Sequence, residues 1–182
     1  TLFNLYCKNS LISILTKSSV DLYMDPDYRL TTYLNQMREK YQVTPRGAKL
    51  YVAKLDDKIL NSPKGKKRRK FPSDDFPEID IERRGCVYVG ITTKTVPKRF
   101  RQHINGHKRA SWALGHFPSS RYYKECVDEL TEEYGFTHLH KEIREKLESW
   151  VGYALYKAGY WVWGPHAHEA YKKPEEENPW GY

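Results

Sequence analysis

The sequence contains no apolar run that approaches the roughly 20 residues required to span a bilayer. Its most apolar early stretch, 11–15, is interrupted by Ser13, so we expect neither a membrane span nor a signal peptide. Cysteine is scarce: Cys7, Cys86 and Cys126 are widely spaced, which is typical of neither a disulfide framework nor a CxxC metal site. These absences predict a soluble, intracellular protein with no membrane partner, cytoplasmic in a prokaryote or phage and nuclear in a eukaryote.

Acidic residues are outnumbered by basic ones, 23 against 31, and the formal net charge is +8 at pH 7. This imbalance favours polyanionic partners. Hydrophobic residues make up only 39% of the chain, yet 15 tyrosines, 6 phenylalanines and 5 tryptophans supply the apolar area that a core requires. The 182 residues suit one domain of moderate size with appended elements better than two full domains.

The chain divides into three segments of different pattern. Residues 1–46 predict a helical extension, because Pro26 follows Asp25 as at a helix start and apolar residues then recur at helical spacing. Residues 47–164 alternate between strand and helix signals and predict the main domain. Residues 165–182 are polar and form a C-terminal tail.

The main domain is predicted to be α/β (α+β), with a small three-stranded, mainly antiparallel sheet flanked by helices. The patterns predict strands at 49–55, 85–92 and 136–140, and helices at 96–105, 119–134 and 141–159. In the second strand Val87, Val89 and Ile91 alternate and face a core, so Tyr88 points to the opposite side of the sheet. Gly90 beside it leaves room for a ligand or another backbone.

The segment 56–84 shows no periodicity. It holds three prolines and the run 64–70 (KGKKRRK), in which every residue except Gly65 is basic, followed by five acidic residues. We interpret it as a loop inserted between the first two strands.

Four chemically informative features occur in order along the main domain: two strand tyrosines, an R-x-x-x-H helix and a later helical glutamate. They comprise Tyr51, Tyr88, Arg99, His103 and Glu148. The spacing of four places Arg99 and His103 on one helical face. Tyr51 ends the tripeptide KLY, Tyr88 begins the tripeptide YVG, and Glu148 lies in the segment LESW. In this order and spacing the sequence resembles the GIY-YIG nuclease family.

The resemblance covers about residues 47–164 and includes three departures from the family pattern. Lys49-Leu50 stands where the first motif has Gly-Ile. The insertion 56–84 separates the two motif strands and resembles insertions in restriction-enzyme members, where the loop can hold DNA. Many members also carry an asparagine after the glutamate, whereas the corresponding window here, 160–163, reads YWVW.

The resemblance implies a metal-dependent DNA endonuclease, of restriction or homing type, that hydrolyses phosphodiester bonds to 5′-phosphate and 3′-hydroxyl ends. Glu148 would hold one Mg²⁺ (or Mn²⁺), and Arg99 would pair with a phosphate of double-stranded DNA. We assign the general base to Tyr51, with His103 assisting its proton; Tyr88 and His103 are the rival bases. Such an enzyme is either a homodimer that cuts both strands or a monomer that nicks.

The candidate DNA contacts are the basic residues of the run 64–70 and those on and after the R-x-x-x-H helix: Lys64, Lys66, Lys67, Arg68, Arg69, Lys70, Arg101, His107, Lys108 and Arg109. Two other functions stay open at this level. The altered first motif and the missing asparagine also suit a catalytically inactive nucleic-acid-binding module on the same scaffold. A structural or interaction protein that recruits partners through the basic run and the helix at 26–41 is the third interpretation.

Overall fold

The computed structural model describes residues 31–32, 34–36, 39, 47–70 and 82–164, without the side chains of 141–143. Most of the predicted helical extension and the whole C-terminal tail lie outside the described residues. Within the extension the described residues are helical, and Leu34 is fully buried in a hydrophobic cluster with Leu50 and Leu147. None of the helices in this described part of the chain combines the length and the apolar character that crossing a bilayer requires.

The main domain alternates strands and helices. Its described elements are β1 (Ala48–Leu55), a 3₁₀ helix (Asp57–Asn61), α1 (Pro63–Arg68), β2 (Gly85–Thr92), α2 (Val96–Ile104), α3 (Trp112–His116), a π-helical turn (Lys124–Asp128) that continues into α4 (Glu129–Tyr134), β3 (Phe136–Leu139), α5 (Lys141–Lys157) and β4 (Tyr160–Trp163). The strand order is β3-β1-β2-β4. β1 pairs antiparallel with β2 and β3, whereas β4 pairs parallel with β2. The predicted mixed α/β class is confirmed.

The prediction of a three-stranded sheet is wrong by one strand, because β4 was not recognised. β4 has only four residues. A run this short does not display the alternation that distinguishes a strand from other apolar segments. Gly159, at a φ of 100°, follows the last turn of α5 and lets the chain turn back into the sheet.

The sheet is covered on both faces, and the alternation along β1 and β2 divides their side chains between two cores. The first core contains Leu50, Val52, Val87 and Val89 from the sheet with Leu147 and Val151 from α5. The second contains Tyr51 and Tyr88 with Phe100 from α2 and Leu114 from α3. The predicted orientations of Val87, Val89 and Tyr88 are therefore confirmed, and Ile91 packs partly buried against the first core.

The prediction of an irregular loop is wrong for two described parts of the insertion, which are helical: residues Asp57–Asn61 and Pro63–Arg68, the second of which holds most of the basic run. The Ser62 hydroxyl caps α1 by accepting a hydrogen bond from Gly65 N at 3.3 Å. Trp163 Nε1 donates to Gly65 O at 3.0 Å, and Lys70 N donates to Val162 O at 2.9 Å. These bonds fasten residues 63–70, which we call the basic arm, to β4. Residues 71–81 of the predicted loop lie outside the described residues.

Candidate active site

The two motif tyrosines come from neighbouring strands and lie on the same face of the sheet. In the β1–β2 register Tyr51 faces Gly90 and Ala53 faces Tyr88, so the two tyrosines are diagonal neighbours. Their ring centroids are 6.1 Å apart. A Cβ atom on Gly90 would lie 2.6 Å from Tyr88 Cε1 and 2.7 Å from the Tyr51 hydroxyl. Glycine is required at this position because both phenol rings occupy the space above it.

A second glycine, which the sequence pattern did not single out, closes the other side of the Tyr88 ring. A Cβ atom on Gly164 would lie 2.6 Å from Tyr88 Cε2, and the Gly164 backbone has a φ of 103°. The Tyr88 ring therefore lies in a slot between two glycines, which holds its orientation. A glycine directly after an aromatic run is the only signal of this role in the sequence.

His103 lies on the buried face of α2 and contacts both Tyr51 and the following loop. Its Nε2 is 2.8 Å from the Tyr51 hydroxyl oxygen, and the backbone N–H of Ser111 donates to its Nδ1 at 2.6 Å. The side chain is fully buried. Burial, assisted by the positive charge of Arg99, lowers the pKa of His103 to about 3.

These contacts assign the tautomer of His103. A neutral imidazole carries one proton, and a nitrogen that accepts a backbone N–H is the unprotonated one. Nδ1 is therefore the acceptor, and Nε2–H donates to Tyr51. In this arrangement His103 has no lone pair left to take the Tyr51 proton, which argues against the expected role of His103 as the proton acceptor or as the base itself.

Tyr51 is fully buried. Its pKa is raised well above the usual value, mainly by burial and also by the neighbouring Tyr88. Tyr88 is the phenol that reaches the surface, because its side chain lines two open cavities, which are described below. Burial and the negative charge of Glu148 raise the pKa of Tyr88, while the charge of Arg99 acts in the opposite direction. The geometry thus favours Tyr88 over Tyr51 as the group that meets a ligand.

Arg99 is held one helical turn before His103 by the same loop. Its Nη2 donates to the backbone oxygen of Arg109 at 2.7 Å. The loop 105–111 therefore orients both motif side chains, Arg99 through a carbonyl and His103 through the Ser111 N–H. The Ser111 hydroxyl also accepts from Leu114 N at 3.5 Å at the start of α3. The sequence analysis named His107, Lys108 and Arg109 of this loop as DNA contacts but missed its positioning role and Ser111, although a serine before a short apolar run is a recognisable helix-cap signal.

Glu148 is on α5, which packs against the first core, and its side chain lies in the same cavity wall as Tyr88 and Arg99. Its side chain is 5% exposed and lies between residues that pack in the first core, Leu147 and Val151. With Tyr88 and Arg99 it lines a cavity of about 420 Å³, which we call the Glu148 cavity. Three of the five predicted catalytic residues thus meet at one cavity. Tyr51 and His103 contact the Tyr88 ring but do not line this cavity.

The donor set at this cavity fits Mg²⁺. The described residues hold no group of three or more His, Cys, Asp or Glu side chains that forms a metal cage. Mg²⁺ does not need one, because it commonly binds through one or two carboxylates, several waters and a substrate phosphate. Glu148 supplies one such carboxylate at the wall of a cavity with room for water and phosphate.

A second cavity, of about 460 Å³, lies on the opposite side of Tyr88, and we call it the basic cavity. It is lined by the end of the basic arm, by the loop and by α3; the residues with charged or aromatic side chains are Lys67, Arg68, Arg69, Lys70, Tyr88, Arg99, Arg109, Trp112 and Trp163. Tyr88, Arg99 and Arg109 also line the Glu148 cavity. The two cavities are therefore adjacent and share one wall.

The predicted DNA contacts are divided between these cavities. His107, Lys108 and Arg109 line the Glu148 cavity. Lys67, Arg68, Arg69 and Lys70, together with Arg109, line the basic cavity. Lys64 lies over the Trp112 ring at 5.0 Å from its centroid. Lys66 and Arg101 are exposed and are not among the described residues that line either cavity.

Comparisons with models of protein families, with curated proteins and with solved structures found no match to this chain. The GIY-YIG resemblance therefore rests on the sequence motifs.

Proposed function

We propose that this chain is a metal-dependent DNA endonuclease that hydrolyses phosphodiester bonds to 5′-phosphate and 3′-hydroxyl ends. The observation that carries the proposal is the meeting of Tyr88, Arg99 and Glu148 at one open cavity, although these residues come from three different elements. An arginine, a phenol and a carboxylate around a cavity are the groups that binding and hydrolysing a phosphodiester require.

The charges around the Glu148 cavity distinguish this proposal from simple phosphate binding. Lys94, Lys108, Arg109 and Arg144 line the cavity and attract a phosphate. A buried carboxylate repels a phosphate, so attraction of a phosphate does not by itself account for Glu148 in this wall. The carboxylate is useful when a divalent cation stands between it and the phosphate.

Each residue then has a role that its position allows. Arg99, held by the Arg109 carbonyl, binds a phosphate oxygen as a fixed charge. Tyr88 orients the attacking water and, as a phenolate whose own proton has passed to solvent, takes the proton of that water, while the departing 3′ oxygen takes a proton from solvent. Tyr51 packs against the Tyr88 ring, and a hydrogen bond donated by His103 Nε2–H fixes the Tyr51 hydroxyl. Bound by Glu148, a Mg²⁺ or Mn²⁺ ion would neutralise charge on the phosphate and reverse the effect of Glu148 on the pKa of Tyr88.

Cleavage of supercoiled plasmid in Mg²⁺ or Mn²⁺ tests the proposal. Glu148→Gln keeps the size of the side chain and removes its charge, and we expect it to lower the cutting rate roughly 100-fold or more. Glu132→Gln is the matched control, because Glu132 is exposed on α4 and lines neither cavity. In the same assay Tyr88→Phe should lower the rate more than Tyr51→Phe does.

The products also separate the alternatives. Nicked circles indicate a monomer that cuts one strand, and linear DNA with mapped 5′-phosphate ends indicates a dimer that cuts both. Retention of DNA without cutting supports the nucleic-acid-binding module. If Glu148→Gln does not reduce cutting, the assigned site is contradicted. If the protein neither cuts nor retains DNA, the structural or interaction role remains.

A further inference from the structure

The basic cavity differs from the Glu148 cavity in its electrostatics. Six cationic side chains line it, and none of the described residues in its wall is acidic. The Glu148 cavity combines cationic residues with Glu145 and Glu148. A metal cation is repelled from the basic cavity, whereas an anion is attracted without any metal. Its volume of about 460 Å³ is in the range of sites for small ligands.

Three of the six cations of the basic cavity, Arg68, Arg69 and Arg99, have side-chain contacts that hold them in place. The Arg68 guanidinium lies 5.6 Å from the centroid of the Trp112 ring, and the Arg69 guanidinium lies 4.2 Å from that of Trp161. The backbone bonds from Trp163 and Lys70 fasten the arm to β4. Because the Trp112 ring already carries Lys64 and Arg68, the cavity presents cations rather than an open aromatic face. Its chemistry suits a phosphate group more than a stacked base.

We infer that the basic cavity is a phosphate subsite for the phosphodiester next to the one that is cut, on the same DNA strand. This inference rests on the proposed function for the identity of the strand. Tyr88, Arg99 and Arg109 form the wall that both cavities share, so a strand passing over this wall places consecutive phosphates on its two sides. The scissile phosphate lies on the Glu148 side, where a metal is attracted, and the flanking phosphate lies on the side where only cations meet it.

The first test is the salt dependence of DNA binding by the full chain, measured by fluorescence anisotropy with a labelled duplex in EDTA. The slope of log affinity against log salt changes by about 0.9 for each duplex phosphate that the protein no longer neutralises. Lys67→Gln should reduce the slope by about this amount, because Lys67 lines the basic cavity. Lys58→Gln removes the same charge from an exposed lysine of the 3₁₀ helix that lines neither cavity, and it should not.

This test does not need cutting, so its outcome is separate from that of the plasmid assay. An equal change of slope in both variants, or no change in either, overturns the subsite. Because Lys67 is exposed, its replacement should not unfold the protein, and thermal unfolding followed by circular dichroism checks this.

The second test locates the phosphate. On a duplex whose cut position has been mapped, a neutral methylphosphonate replaces one phosphate at a time beside the cut. We expect roughly tenfold weaker binding when the substitution is on one side of the cut in the cut strand. This penalty should be smaller in Lys67→Gln, which removes one of the six cations of the cavity, and unchanged in Lys58→Gln. A penalty that Lys67→Gln leaves unchanged, or one found only on the opposite strand, contradicts the proposed path.

Discussion

The burial of His103 has a measurable consequence for stability in acid. In the folded protein the pKa of His103 is lowered to about 3, first by burial and then by Arg99. In the unfolded chain a histidine titrates near 6.5. Between these values the unfolded state binds a proton that the folded state does not, so stability must fall as the pH decreases through this window.

The size of the effect follows from the linkage relation. One proton bound only by the unfolded state changes the free energy of unfolding by about 1.4 kcal/mol per pH unit. Between pH 7.5 and pH 4.5 the His103 contribution is therefore a loss of about 2.7 kcal/mol. His103→Gln has no titrating group there and should lack this loss. At pH 7.5 the variant should be less stable by about 1–3 kcal/mol, because a glutamine does not preserve both hydrogen bonds to Tyr51 and Ser111.

Urea unfolding followed by tryptophan fluorescence, at four pH values from 4.5 to 7.5, measures the difference between the two proteins. Contributions of the other titrating groups cancel in that difference. We expect the wild-type advantage at pH 7.5 to vanish or reverse at pH 4.5. A difference that does not depend on pH would refute the assignment of a neutral, donor histidine, and His103 would return as a candidate base. In that case His103→Gln should also lower cleavage by roughly 100-fold or more.

Two further substitutions test the packing that positions the site. Gly90→Ala should destabilise the protein by about 1–3 kcal/mol and reduce cleavage, because the added methyl group meets both phenol rings at under 3 Å; a thermal unfolding curve and a cleavage rate equal to wild type would contradict this. Thr131→Val should cost about 2 kcal/mol, since the Thr131 hydroxyl accepts from Val52 N and donates to Val52 O, both at 3.1 Å. Thr131→Ser keeps both bonds and loses only the methyl group, so it is the control for this second change. A Thr131→Val variant as stable as wild type would contradict the assigned contribution of the hydroxyl.

Local pattern was sufficient for much of the fold. The alternation of Val87 and Val89 predicted which face of β2 enters the first core, and the helix signals at Thr95 and Pro97 predicted α2 to within one residue at its C-terminal end. The pattern failed where the structure depends on distant contacts. β4 is a strand because β2 offers it a parallel edge, and the basic arm, helical over Pro63–Arg68, lies against β4 because Trp163 and Val162 hydrogen-bond to it.

The sequence by itself determined which groups are available to the site, through two strand tyrosines and an R-x-x-x-H helix whose spacing of four puts Arg99 and His103 on one face. Only the tertiary structure decided which of these groups line the cavity and which are buried. Tyr51 and His103 are buried while Tyr88 is at the cavity wall, and the proton of His103 is assigned by a backbone N–H of Ser111. Spacing along a chain reports periodic faces, but burial and hydrogen-bond direction depend on which distant segments close around a residue.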